Sequence, residues 1–263
     1  MRSELRRNSV LLHSEISGEG QYPVVLLHGM FGSASNLISV ARALEPDFKV
    51  IRMDLRNQGK SPHRDAMTIS LMTDDVIHTL DELNIARAHF LGHSLGGKVA
   101  MDLAVRFPER VAKVVVADIA PVRYGRGHDA ILDGLLGMDM QALRSRQQAD
   151  EILAKSVPEL PIRQFLLKNL MRDGDSWAWK MNLSAIAENY DHLRDAPDSG
   201  NFDGPILFIR GGSSGYIREE NRVGIMRQFP DARIETIADA GHWLHAEYPQ
   251  IFNEMTRGFL LEE

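Results

Sequence analysis

Residues Ala88-His89-Phe90-Leu91-Gly92-His93-Ser94-Leu95-Gly96-Gly97-Lys98 carry the pattern that decides the fold. An apolar run ends at Leu91, the next five residues read G-x-S-x-G, and a helical pattern runs from Leu95 to Phe107. A serine on a sharp strand-to-helix turn is held with its hydroxyl above the edge of a sheet. Glycine at 92, 96 and 97 suits such a turn, because a Cβ there would meet the neighbouring strand or helix. The motif alone is common by chance and also fits a glycine-rich turn without chemistry, so the rest of the chain has to decide.

Working outward, strand-like and helix-like segments alternate. Apolar runs at Val24 to Leu27, Lys49 to Met53, Ala88 to Leu91, Val114 to Ala117, Ile206 to Ile209 and Arg233 to Ile237 predict six strands. Runs apolar on both faces belong to a buried parallel sheet. Between them, Ile69, Met72, Val76, Leu80 and Leu83 form one helical stripe, and Pro108 stops the helix that follows Ser94. This alternation predicts an α/β fold: a mostly parallel central sheet flanked by helices, with right-handed crossovers.

One stretch breaks the alternation. From about Val122 to Phe202 no strand is evident, and Pro and Gly punctuate both ends. The expected organisation is a core formed by residues 1–121 and 203–263, with a helical cap, 122–202, inserted between two strands. Within the cap, Phe165, Leu166, Leu170, Trp177, Trp179, Leu183 and Ile186 form an apolar set. They are expected to divide between the cap's own core and an acyl-binding pocket, with Phe31, Tyr216 and Trp243 as further pocket candidates.

A serine hydroxyl needs a base, and the base needs an orienting carboxylate. Where the serine sits on this kind of turn, the acid and then the histidine follow it in the chain. Ala240-Gly241-His242-Trp243 follows the last predicted strand, and a histidine in a glycine turn there can face the serine. His242 is therefore the candidate base. The loop Arg210 to Tyr216 holds no carboxylate before Glu219, whereas the preceding strand ends at Asp118. Ligand-facing groups of open α/β sheets lie at strand carboxyl ends, which favours Asp118, with Asp239 a weaker alternative. Two backbone N–H groups are needed for an oxyanion. Leu95 is one candidate and Met30 the other, with Phe31 as the alternative to Met30 and His28 as a brace for that loop.

Bulk composition excludes several classes. The chain has 263 residues, 44% of them hydrophobic, which suffices for one α/β domain with an insertion. The net charge of −6 argues against nucleic acid. No window approaches the roughly eighteen consecutive apolar residues of a membrane span. Arg2, Arg6 and Arg7 lie in a stretch without the apolar run of a signal peptide, which is expected to be a surface tail. The absence of cysteine removes disulfides, thiolate nucleophiles and cysteine-bound metals, and suits a cytoplasmic location.

His28-Gly29-Met30-Phe31-Gly32-Ser33, Asp54 to Pro62, Gly92 to Lys98, Asp118-Ile119-Ala120-Pro121 and Gly241-His242-Trp243 together resemble the α/β-hydrolase fold. More narrowly, the chain resembles the bacterial YbfF-type esterases and their mitochondrial abhydrolase-domain relatives. That resemblance implies hydrolysis of small-molecule acyl esters or thioesters, including acyl-CoA-like substrates, with no cofactor. The His242-x-x-His245 spacing could suggest a metal, but no further ligand set supports one, so none is expected. It also implies an acid after the strand before the cap, in agreement with Asp118. Gln58 departs from the usual histidine and Gly215 from a common proline. Asp54 and Arg56 are expected to hold a turn, and Lys98 to form an ion pair.

Two rival readings remain. The same triad serves C–C hydrolysis, lyase chemistry or perhydrolysis, and a hydrolase fold can also be a non-catalytic ligand receptor.

Overall fold

The computed structural model describes residues 8–262; the basic stretch with Arg2, Arg6 and Arg7 lies outside the described residues. Seven of the described strands form one sheet. Strand β1 (Ser14–Ser17) is an edge strand, antiparallel to β3 (Phe48–Met53). Inward from β3 lie β2 (Tyr22–Leu27), β4 (Ala88–His93), β5 (Val111–Ala117), β8 (Ile206–Gly211) and β9 (Ala232–Ile237), all parallel. All six predicted strands are present. The added edge strand reads Ser-Glu-Ile-Ser, too short and polar to stand out in the sequence.

Period-two alternation divides the core into two layers. Val25, Leu27, Phe90, Val114, Val116 and Phe208 face one side, with helices α2 (Ile69–Glu82) and α3 (Leu95–Arg106). Val24, Leu26, Leu91, Val115, Leu207 and Ile209 face the other, with α1 (Ile38–Leu44) and the C-terminal helix. Helix α2 starts where the Thr68 hydroxyl accepts the Leu71 N–H, a side-chain cap for an otherwise unpaired donor.

The chain leaves the sheet after β5 and returns at β8. The insertion holds α4 (Asp129–Leu136), α5 (Arg146–Leu153), α6 (Leu160–Leu166), α7 (Leu183–Glu188) and α8 (Tyr190–Leu193). It also holds a hairpin, β6 (Leu170–Asp173) with β7 (Ser176–Trp179), which corrects the expectation of a strand-free segment. The signal was the two-residue loop Gly174-Asp175: Gly174 takes φ +59°, the left-handed backbone a tight hairpin turn needs.

After β8 come α9 (Arg222–Gln228), β9, α10 (Leu244–Glu247) and α11 (Pro249–Leu261). Among the described residues no helix is long and apolar enough to cross a membrane.

Candidate active site

Four of the five described non-glycine residues with positive φ follow the carboxyl ends of successive strands. They are Phe31 after β2 (φ 61°), Asn57 after β3 (φ 64°), Ser94 after β4 (φ 52°) and Asp118 after β5 (φ 50°). Such backbone costs of order 1–3 kcal/mol per residue and persists only where the surroundings enforce it. Here it marks one edge of the sheet.

Ser94 sits between β4 and α3. Its N–H donates to the Ala117 carbonyl (3.0 Å), and its carbonyl accepts from Gly97 and Lys98. The glycines are required sterically: a Cβ on Gly92 would lie 2.1 Å from the Gly96 carbonyl oxygen, and one on Gly96 2.3 Å from that of Leu27. In the β4–β5 register His93 pairs with Ala117, so Ser94 and Asp118 leave adjacent strands side by side. Among the described residues the Ser94 hydroxyl has no hydrogen-bond partner.

Asp118 is fully buried. Its Oδ1 accepts the Gly211 N–H (2.9 Å); its Oδ2 accepts both the Ser214 hydroxyl and His242 Nδ1 (2.8 Å). A carboxylate only accepts, so Nδ1 of His242 carries the hydrogen and Nε2 keeps its lone pair. The His242 ring lies flat on Tyr216, with centroids 3.9 Å apart and planes 16° apart. Burial pushes the Tyr216 phenol upward, so the stacked ring stays neutral. Asp239, the alternative acid, makes no hydrogen bond to the imidazole among the described residues.

Three groups that sequence reasoning missed hold His242 and Asp118 in place. Glu247 accepts the backbone N–H groups of Gly241 (2.6 Å) and Trp243 (3.2 Å). His93 donates from Nε2 to the carbonyl of His242 (2.8 Å). Burial, then the nearby His245 and His242, hold His93 well below the usual imidazole range, so it stays neutral beside His242. Ser214 holds the acid, and nothing in its local sequence separates it from Ser213.

The loop after β2 turns at Gly29 to Gly32, with Gly32 N–H bonded to the Gly29 carbonyl (3.1 Å). His28 braces it: Nδ1 donates to the Gly29 carbonyl (2.7 Å) and Nε2 accepts from Leu55 N–H (3.0 Å). Among the described residues the backbone N–H groups of Met30, Phe31 and Leu95 have no partner. Asn169, on the insertion, donates to the Phe31 carbonyl (2.7 Å). His128, for which the sequence offered no context, lies edge-on to Phe31 and bonds the Tyr190 hydroxyl (2.9 Å); burial holds its pKa near 4.

The apolar candidates divide. Leu166, Leu170 and Ile186 are buried in the core of the insertion, and Trp177 packs under Arg172. Phe165 meets Trp243 at 5.7 Å and lines one cleft, together with Phe31. Trp179 and Leu183 line a second cleft with Met138 and Met140.

Asp54 holds a turn, accepting from Ala34 N–H (2.6 Å) and Lys60 N–H (2.8 Å). Arg56 forms a buried bidentate pair with Asp75. Lys98 corrects the ion-pair expectation: it is buried, donates to the Asp195 backbone carbonyl and lies over the Tyr124 ring. Burial lowers its pKa to about 7.

A family model of the alpha/beta hydrolase fold matches residues 22–249. Esterase YbfF of Escherichia coli (strain K12) is 40% identical over 239 residues, covering 90% of this chain and 92% of that protein. An sn-1-specific diacylglycerol lipase, ABHD11 of Xenopus laevis, is 42% identical over 234 residues, covering 86% of this chain and 75% of that one. A solved structure described as a marine microorganism esterase superposes with a TM-score of 0.93 at 35% identity, covering 95% of this chain and all of that one.

Proposed function

We propose a serine-esterase mechanism for this chain, which belongs to the α/β-hydrolase fold family and within it to the esterase and lipase relatives. Its substrates are acyl esters or thioesters. Residues 1–121 and 203–263 form the hydrolase core and 122–202 the cap that shapes the acyl pocket. The supporting observation is the hydrogen bond from His242 Nδ1 to the buried Asp118, which leaves Nε2 basic at the strand edge that carries Ser94.

In this reading Ser94 Oγ attacks the acyl carbonyl while His242 Nε2 takes its proton. Asp118 holds the imidazole in that tautomer and offsets its charge once it is protonated. The tetrahedral oxyanion is held by the N–H groups of Leu95 and Met30; one such donor is worth about 3 kcal/mol of transition-state stabilisation. His242 returns its proton to the leaving alcohol or thiol, and an acyl-serine remains. Water, deprotonated by His242, attacks that acyl group and releases the acid. Phe31, Phe165 and Trp243 line the acyl path near the nucleophile, while Trp179 and Leu183 belong to its outer reach.

The test is a series of p-nitrophenyl esters from acetyl to palmitoyl, with Ser94→Ala in parallel and a fluorophosphonate probe located by mass spectrometry. Serine-dependent turnover and labelling of Ser94 are expected. Turnover that survives in Ser94→Ala, or a probe on another residue, would overturn the assignment.

A further inference from the structure

A cleft of about 400 Å³ opens between the cap and the core on the outer side of the loop that follows β2. Phe31 and Phe165 are the two aromatic residues that line it. The same two rings face His128 and Trp243 on the side of the active site, so the cleft and the acyl path share a partition. Its rim is different in character. Lys168 and Lys180 from the cap and Lys60 from the core are among the residues that line it.

The charge balance favours an anion. Three lysines and two acidic residues line the cleft. Asp54 accepts the N–H groups of Ala34 and Lys60. Glu15 is paired with Arg52 at 2.9 Å and with Lys60 at 3.5 Å. Lys168 and Lys180 form no ion pair among the described residues, on a protein whose net charge is −6. Two unpaired cations kept at one mouth of an acidic protein create a local positive potential that attracts and orients an anionic ligand.

We propose that this cleft is an anion-binding subsite for the phosphate of a phosphorylated alcohol or thiol leaving group. The link to hydrolysis rests on the esterase reading above. The acyl chain would run along the apolar side of the Phe31–Phe165 partition, and the phosphate would lie on the lysine side. Phosphate binding here is electrostatic, so it weakens as salt rises.

The test compares kcat/KM for 1-butyrylglycerol, 1-butyrylglycerol 3-phosphate and butyryl-CoA in the wild type and in Lys168→Glu/Lys180→Glu. Both lysines are exposed, so the double variant keeps its fold. At least one phosphorylated substrate is expected to be preferred over the neutral ester, and that preference to fall about tenfold in the variant. A preference for the glyceride phosphate or for the CoA thioester identifies the source of the phosphate. A preference ratio the variant leaves unchanged overturns the proposal. Calorimetric titration of 1-butyrylglycerol 3-phosphate into Ser94→Ala, with and without the two lysine changes, separates the two readings. Lysine-dependent binding without turnover in the wild type sinks the esterase reading and keeps the cleft; no lysine-dependent binding sinks the cleft.

Discussion

His93 Nε2 lies 2.8 Å from the carbonyl oxygen of His242 and donates to it, so the residue before Ser94 holds the backbone of the proposed base. The bond is partly buried and charge-free, because His93 cannot readily protonate there. It fixes the distance between two loops that leave strands on opposite sides of β5. Replacing His93 with Leu keeps most of the volume but leaves the carbonyl without its donor, at a cost of about 1–3 kcal/mol in stability. We expect kcat to fall about tenfold or more while fluorophosphonate labelling is slowed rather than abolished. Labelling at the wild-type rate would show that the base does not depend on this bond.

Ser214 makes a sharper case, because its hydroxyl donates to the same Asp118 oxygen that receives His242 Nδ1. Ser214→Ala removes one of three donors to a fully buried carboxylate. A hydrogen bond to a charged group is worth about 1.5–3 kcal/mol, so denaturant midpoints should drop accordingly. Asp118 is then held less firmly against His242, and kcat on a p-nitrophenyl ester is expected to fall severalfold. A lower denaturant midpoint with an unchanged kcat would make Ser214 a purely structural prop.

Both residues illustrate where a single sequence stops being readable. The inner strands β2, β4, β5 and β8 announce themselves because burial on both faces demands continuous apolar runs, as in Val24 to Leu27, whereas β9 at the other edge alternates. The places of Ser94, Asp118 and His242 beyond strand ends were legible because ligand-facing groups of such a sheet lie at strand carboxyl ends. Edge strand β1 was not, since an edge needs no apolar face. The hairpin in the cap was signalled by Gly174-Asp175 and lost among helical patterns. Ser214, Asn169 and Glu247 act through contacts with distant segments, and their neighbours in sequence say nothing of those approaches. Lys98 misled for the same reason: helix position predicted a surface ion pair, while the returning chain at Asp195 buried the side chain.

Asn169 links the cap to the proposed oxyanion loop, donating to the Phe31 carbonyl at 2.7 Å and to the Leu166 carbonyl at 3.2 Å. Phe31 holds a positive φ, so its peptide needs an external restraint. Asn169→Ala should loosen the loop without touching the three polar residues of the proposed triad. Initial rates on a p-nitrophenyl ester are expected to show kcat reduced about fivefold to tenfold, as for about 1 kcal/mol of lost positioning. Asn169→Asp should be worse, because a carboxylate faces a carbonyl oxygen. Equal activity in both variants and the wild type would remove Asn169 from any role in catalysis.

His245 gives the fold a pH dependence separate from the chemistry. Its ring is buried between His93 and Phe252, and its Nδ1 has no hydrogen-bond partner among the described residues. Burial, followed by the nearby His242, lowers its pKa from 6.5 to about 4. Between those two values the unfolded chain binds a proton that the folded chain refuses. Stability contributed by the neutral ring is therefore complete above pH 6.5 and is lost as pH falls toward 4. His245→Phe removes the titrating group and suits the apolar surroundings. Urea unfolding at pH 7 should differ from wild type by less than about 1 kcal/mol, since no hydrogen bond is lost. At pH 4.5 the variant should be the more stable by about 2 kcal/mol, the proton-linked term over two pH units with allowance for partial relaxation. A variant that loses as much stability as wild type between those pH values would show that His245 is not the group that refuses the proton.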